Sequence, residues 1–334
     1  MTKQTLLFGN GLGRSFDNDF YSLERALNTS WDAEDVLDDN QRTLICNCLD
    51  DDLLEGDLKA PTAEEDLRDL QRVLNACDTI KSFEEKIGTG DEGWLNGHGR
   101  QFPVAIRKYF HHAATQFHSA DKRLPNDFAN DLRAFVREAR PNIATLNYDD
   151  LLYECFTETD IFNQHMLRDG FFQNFDIATH TQYYDANTEG WFLHLHGSPL
   201  FVTRNGVARK LLRAQLNTYM GTNSVHLVLT NAKSKPSVIA NSTILSAYWK
   251  KLAWAFSQPC QLTLVGYGGG DLHLNKLIRD SKGMECVRVV CRNADDSKEN
   301  QEEHWKNTLR LPAEVNLECI FVDDILDFDK WKPA

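Results

Sequence analysis

Two hydrophobic rhythms alternate along this chain. Near-continuous apolar runs at residues 5–8, 142–146, 191–195, 225–229, 261–265, 287–291 and 317–322 predict strands buried on both faces. Between them, apolar residues recur at helical spacing: Leu67, Leu70, Leu74 and Cys77; Ile106, Phe110, Ala113 and Phe117; Phe128, Leu132, Phe135 and Ala139; Leu245, Tyr248, Leu252 and Phe256. Thr62-Ala63-Glu64-Glu65 reads as a capping box before the first of these faces. Pro125-Asn126-Asp127 starts the third and Pro141 stops it. The pattern predicts one α/β domain over residues 1–334 with a mostly parallel sheet. A large helical insertion, about residues 20–140, follows the first strand and turn. Residues 88–100 hold five glycines and are a loop or lid candidate within it.

Composition narrows the classes. The chain has 334 residues, 36 basic and 49 acidic, for a net charge of −13. Mean hydropathy is −0.47, and no window approaches the ~20 apolar residues of a membrane span. Met1-Thr2-Lys3-Gln4 leads straight into the first strand run, so no signal peptide is expected. The acidic balance argues against direct nucleic-acid binding and against an anionic membrane surface. Eight cysteines are dispersed with no Cys-x-x-Cys spacing, as expected of a cytoplasmic chain without a zinc ribbon. Cys46-x-Cys48 reads first as two core thiols near a helix, and second as a redox or metal pair.

Several strand runs end in a polar or glycine-rich turn, and in an open parallel sheet such ends form one ligand crevice. Four of them carry candidate chemistry. Gly9-Asn10-Gly11-Leu12-Gly13 follows the first strand; its glycines permit close backbone approach to a pyrophosphate at a helix start. Its spacing is G-x-G-x-G rather than G-x-G-x-x-G. Thr145-Leu146-Asn147-Tyr148-Asp149 ends the second run. Asn147 both donates and accepts there, as a ribose hydroxyl or a water requires, while Asn and Asp are equally the residues that cap a following helix at 150–156. His196 ends the next run, directly before Gly197, which would open space for a general base. His194, two residues earlier, shares its side of the strand, but no third metal ligand accompanies the pair. Gly266-Tyr267-Gly268-Gly269-Gly270-Asp271 offers a further close approach, with Asp271 either accepting from a ribose hydroxyl or capping the helix after it.

Taken in order, Leu7 to Gly13, Thr145 to Asp149, Leu195-His196-Gly197 and Val265 to His273 resemble the sirtuin-like superfamily. Within it, they are most similar to the sirtuin-like NAD hydrolases of bacterial anti-phage defence. The resemblance implies a Rossmann-like, mostly parallel sheet with NAD as substrate. It implies that Asn147 and His196 are the catalytic pair. Gly9, Asn10, Gly11 and Gly13, with Asp149, Gly266, Tyr267, Gly268 and Asp271, would line the dinucleotide. The long helical stretch is not matched. Deacylating sirtuins carry a structural zinc on two Cys-x-x-Cys pairs after the His-Gly segment. Here no cysteine lies between Gly197 and Pro259, so no zinc module and no cofactor beyond NAD are expected. That departure favours water over an acyl-lysine as acceptor.

The resemblance also implies control, because an enzyme that destroys NAD must stay silent until needed. About sixty residues follow the last motif, too few for a usual sensor domain. A separate regulator or a homo-oligomer is therefore the expected partner, with the insertion as its contact surface or simply as cover for the sheet. The other readings are a non-catalytic sensor of NAD or of an ADP-ribose derivative, a zinc-less NAD-dependent deacylase, and a phosphoribosyl or nucleoside hydrolase.

Overall fold

The computed structural model describes residues 2–49, 58–88, 93–95, 97–185, 188–218, 224–230, 234–293 and 297–332. Its centre is a seven-stranded sheet of β1 (Lys3–Phe8), β2 (Asn142–Thr145), β3 (Leu167–Arg168), β4 (Gly190–His194), β7 (Cys260–Val265), β8 (Met284–Arg292) and β9 (Asn316–Val322). The order is β3-β4-β2-β1-β7-β8-β9, and every pair is parallel. Without the two-residue edge strand β3, this is the doubly wound Rossmann-like order, in which the chain reverses direction across the sheet between β1 and β7. A separate antiparallel hairpin pairs β5 (Phe201–Arg204) with β6 (Val207–Lys210).

Alternation along the strands feeds two cores, one on each face. Leu7, Ala144, Trp191, Leu193 and Leu264 meet the apolar side of α11 (Thr243–Ser257) through Leu245, Tyr248, Leu252 and Phe256. Leu6, Phe8, Ile143, Phe192 and Val265 meet α6 (Asn126–Ala139) and α7 (Leu151–Thr157) through Phe128, Leu132, Phe135, Leu152 and Phe156. Trp331 closes that second face, with its ring against Phe8, Phe128 and Phe135.

The predicted insertion divides in two. Its last helix, α6, covers the sheet as just described. The helices α2 (Leu23–Asp32), α3 (Asp39–Cys46), α4 (Leu67–Ile87) and α5 (Gly97–Thr115) instead share a third core around Leu27, Trp31, Ile45, Leu70, Ile106, Tyr109 and Phe110. Leu229, from far along the chain, is buried in this core as well.

Three local expectations are corrected. Residues 225–229 do not form a strand: a 3-10 turn spans Ser224–His226, and Leu227 makes only an isolated bridge to Gly197. The run is apolar because Val228 enters one core and Leu229 another, and burial alone does not specify a ladder. No capping box forms at Thr62–Glu65. The carboxylate of Asp66 accepts from the backbone of Thr62 and Ala63 at 2.8 and 3.1 Å, and α4 starts after it without a side-chain cap. The glycine-rich stretch is only partly loop: Gly88 ends α4 with φ +68°, and Gly97 and Gly99 lie inside α5. Residues 89–92 and 96 fall outside the described residues. The Cys46 and Cys48 thiols are free, with Cys46 buried at the end of α3.

Candidate functional site

The C-terminal ends of β1, β2, β4 and β7 open into one cavity of about 350 Å³, at the position where a doubly wound sheet binds its ligands. Its lining includes Gly9, Asn10, Asn147, Asp149, His196, Tyr267 and Asp271. Four motifs far apart in sequence are thereby brought together by the parallel register.

Two turns form the floor by backbone contact. The Gly9 N–H donates to Val265 O at 2.9 Å and the Gly11 N–H to Gly266 O at 2.8 Å. A Cβ at Gly9 or Gly11 would stand 2.6 Å from Gly266 O. These glycines let one turn pack on another, rather than opening the turn to a pyrophosphate. Gly13 likewise faces the Tyr21 ring rather than the cavity, and a Cβ there would stand 2.9 Å from it. Gly11, Gly13, Gly266 and Gly268 lie behind or beside the lining.

Asn147 is 4% exposed and held from two sides. Its backbone N–H donates to Thr145 Oγ1 at 3.0 Å, and its Nδ2 donates to Gly9 O at 3.1 Å. Its Oδ1 has no partner among the described residues. A buried carbonyl oxygen without a donor is costly, so this atom is a ready acceptor for a hydroxyl or a water. Asp149 Oδ1 accepts from the N–H of Leu151, the first residue of α7, at 3.1 Å, while Asp150 holds the N-cap position without a side-chain cap. Burial, reinforced by the adjacent Asp150 charge, raises the Asp149 carboxyl to about 7.

His196 and Asp271 form a buried pair, with Nε2 and Oδ2 2.9 Å apart. Asp271 Oδ1 accepts from the Leu274 N–H at 3.0 Å and caps α12 (Leu272–Arg279), so the cap and site readings hold together. Lys235 Nζ lies 3.5 Å from Asp271 Oδ2. Burial alone would raise this carboxyl, but the His196 hydrogen bond and the nearby Lys235 ammonium hold it well below the usual carboxylate range. A carboxylate so fixed takes the Nε2–H, which leaves Nδ1 of His196 as the proton acceptor. Tyr267 braces the loop: its hydroxyl donates to Asn275 Oδ1 at 2.7 Å and accepts from the Asp271 N–H at 3.1 Å. From below, Trp249 Nε1 donates to Leu195 O at 2.9 Å.

Gly197 does not open space beside His196. Its φ is +86°, and a Cβ would stand 1.7 Å from His226 O. The glycine admits a crossing backbone there. His194 is separated from the cavity and lies among the rings of Tyr153, Phe192 and Phe201, where burial lowers it to about 3. Among the described residues, no group of three or more His, Cys, Asp or Glu is arranged to hold a metal.

The remaining lining residues escaped sequence reasoning. Leu23, Glu64, Glu65 and Phe117 come from the helical insertion, and Tyr148 and Lys235 complete the wall. Lys235 is 5% exposed and pairs with Glu64 Oε2 at 3.1 Å. Nothing in its Ser234-Lys235-Pro236 context marks it as a site residue. A second cavity, of about 370 Å³, lies between α4 and α5, lined by residues such as Asp78, Lys81, Glu84 and Arg107, and no strand end reaches it.

No protein-family model matches the sequence, and a search of the curated proteins finds no significant match. No helix among the described residues is long and apolar enough to cross a membrane.

Proposed function

We propose that this chain hydrolyses NAD to nicotinamide and ADP-ribose, as the cytoplasmic effector of an anti-phage defence system that a partner or self-assembly triggers. The observation that carries the reading is one cavity holding both the unpartnered Oδ1 of Asn147 and the His196–Asp271 pair. The resemblance of the four motifs to sirtuin-like NAD hydrolases supplies the substrate.

The chemistry asked of these residues is modest. The bond between C1′ of the ribose and the nicotinamide nitrogen breaks, its electron pair leaving with nicotinamide. Nicotinamide is cationic in NAD and departs neutral, so no acid is required. Positive charge develops on the sugar as in glycoside cleavage. Asn147 Oδ1 accepts from the attacking water or a ribose hydroxyl and orients it. The water oxygen bonds to C1′, and its proton passes to Nδ1 of His196. Asp271 keeps the imidazole in the required tautomer and offsets the imidazolium charge that forms.

The test follows NAD by chromatography with the wild type, His196→Ala and Asn147→Ala, with and without extract of phage-infected bacteria. Release of nicotinamide and ADP-ribose by the wild type, absent in both variants, is the expected result. Loss only with the extract adds an external trigger. NAD that binds but is never consumed turns the chain into a sensor, and loss that requires an acylated peptide makes it a deacylase.

A further inference from the structure

Among the described residues, Lys235 is the one lysine or arginine in the cavity lining, which also holds Glu64, Glu65, Asp149 and Asp271. Its two carboxylate neighbours are held very differently. Asp271 receives His196 Nε2 at 2.9 Å and the Leu274 N–H at 3.0 Å, and is buried. It cannot leave without dismantling a helix cap and the histidine pair. Glu64 belongs to the segment before α4, its side chain is 33% exposed, and it meets Lys235 through an ion pair at 3.1 Å. Glu64 reaches this buried lysine from the solvent boundary, so an incoming anion can take its place while Lys235 keeps a counter-charge.

A carboxylate paired with the cavity's lysine has the same chemistry as a phosphate oxygen paired with it. The cavity volume, about 350 Å³, is at the small end of the ~300–1,000 Å³ usual for ligand sites. We infer that Lys235 is the anion-recognition residue of this cavity, taking the diphosphate of a nucleotide ligand, and that Glu64 is its built-in competitor, which the ligand displaces. The Glu64–Lys235 pair is then the closed arrangement, and the helical insertion contributes the competing group. Identification of the anion as a dinucleotide diphosphate rests on the NAD reading above; the lysine–carboxylate exchange does not.

The test measures binding by calorimetry with inorganic pyrophosphate, ADP-ribose and adenosine as probes. The proteins are the wild type, Glu64→Gln, Lys235→Met, Lys235→Arg and the Glu64→Gln/Lys235→Met double variant. Glu64→Gln is expected to tighten pyrophosphate and ADP-ribose about tenfold by removing the competing charge, and to leave adenosine unchanged. Lys235→Met is expected to lose both anions, Lys235→Arg to keep them, and the double variant to show no gain. A Glu64→Gln gain that persists without Lys235, a gain shared by adenosine, an unchanged affinity, or no anion binding by any form overturns the inference. Anion binding that follows this pattern in a chain that never consumes NAD keeps the inference and removes the hydrolase reading. NAD consumption with Glu64→Gln neutral does the reverse.

Discussion

The floor and the rim of the cavity are built by different means. The floor comes from strand ends of one sheet, joined by backbone contacts from Gly9 to Val265 and Gly11 to Gly266, and by the buried Asn147 Nδ2, which donates to Gly9 O. A side chain added at Gly9, Gly11 or Gly266 would strike backbone at 2.5–2.6 Å. The rim comes from the insertion, whose α2–α5 helices have a core of their own; Leu23 of α2, Glu64 and Glu65 just before α4, and Phe117 just after α5 line the cavity. His118 Nε2, which bonds Tyr148 O at 2.8 Å, and the Glu64–Lys235 pair are links between the two. Backbone packing holds atoms to a fraction of an ångström, as catalysis requires. Side-chain contacts at the rim can exchange partners without moving that backbone.

That contrast predicts a graded set of effects. The largest falls on activity at the floor. His196→Ala and Asn147→Ala should each lower NAD turnover by about 10²–10⁴-fold with the fold intact, whereas Glu65→Gln on the rim should change it far less. Comparable losses at both places, with unchanged circular dichroism, would erase the distinction. Next is stability at the floor. Gly197→Ala combines a strained φ of +86° with a Cβ 1.7 Å from His226 O, and should cost about 3 kcal/mol or more in urea unfolding.

A pH effect of intermediate size is expected from Asp149. Its carboxyl is raised to about 7 in the folded chain from an ordinary value of 3.8. The folded state therefore binds the extra proton between these values, and stability from this group declines as pH rises through that window. Asp149→Asn, which cannot ionise, should gain stability relative to the wild type on going from pH 5 to pH 8 in parallel urea titrations; a constant difference would show that the carboxyl is not raised. The smallest effect belongs to Gly268→Ala and Gly270→Ala, where an added Cβ meets nothing within 4 Å. Both should stay within about 0.5 kcal/mol of wild type, and their difference from Gly197 measures how much of the glycine content is structural.

The two histidines of one strand end show how far residue patterns reach. His194 and His196 are two apart and equally buried, at 3% and 4% exposure. Yet one is enclosed by Tyr153, Phe192 and Phe201, and the other is paired with Asp271 from a turn 75 residues away. Position at the end of a buried strand singled out His196, but its partner was invisible: Asp271 reads equally well as a cap or as a ribose acceptor, and in the fold it is a cap and a histidine partner. The expectation that Gly197 opens space beside His196 fails, since that space is filled by His226 O, and the glycine is required by the crossing backbone instead. The apolar run at 225–229 misled because it bridges two cores without joining a ladder.

The sequence by itself determined the parallel sheet, its strand-end turns and most of the cavity floor. These depend on short-range rules: apolar runs buried on both faces, glycines at tight turns, and parallel strands that present their C-terminal ends together. Only the tertiary structure decided which charges face one another. The His196–Asp271 pair, the buried Lys235 and the Glu64 that meets it come from distant segments, and no local pattern encodes their distances. Electrostatic partnership depends on separation in space and on exclusion of water, and both exist only once the chain has packed.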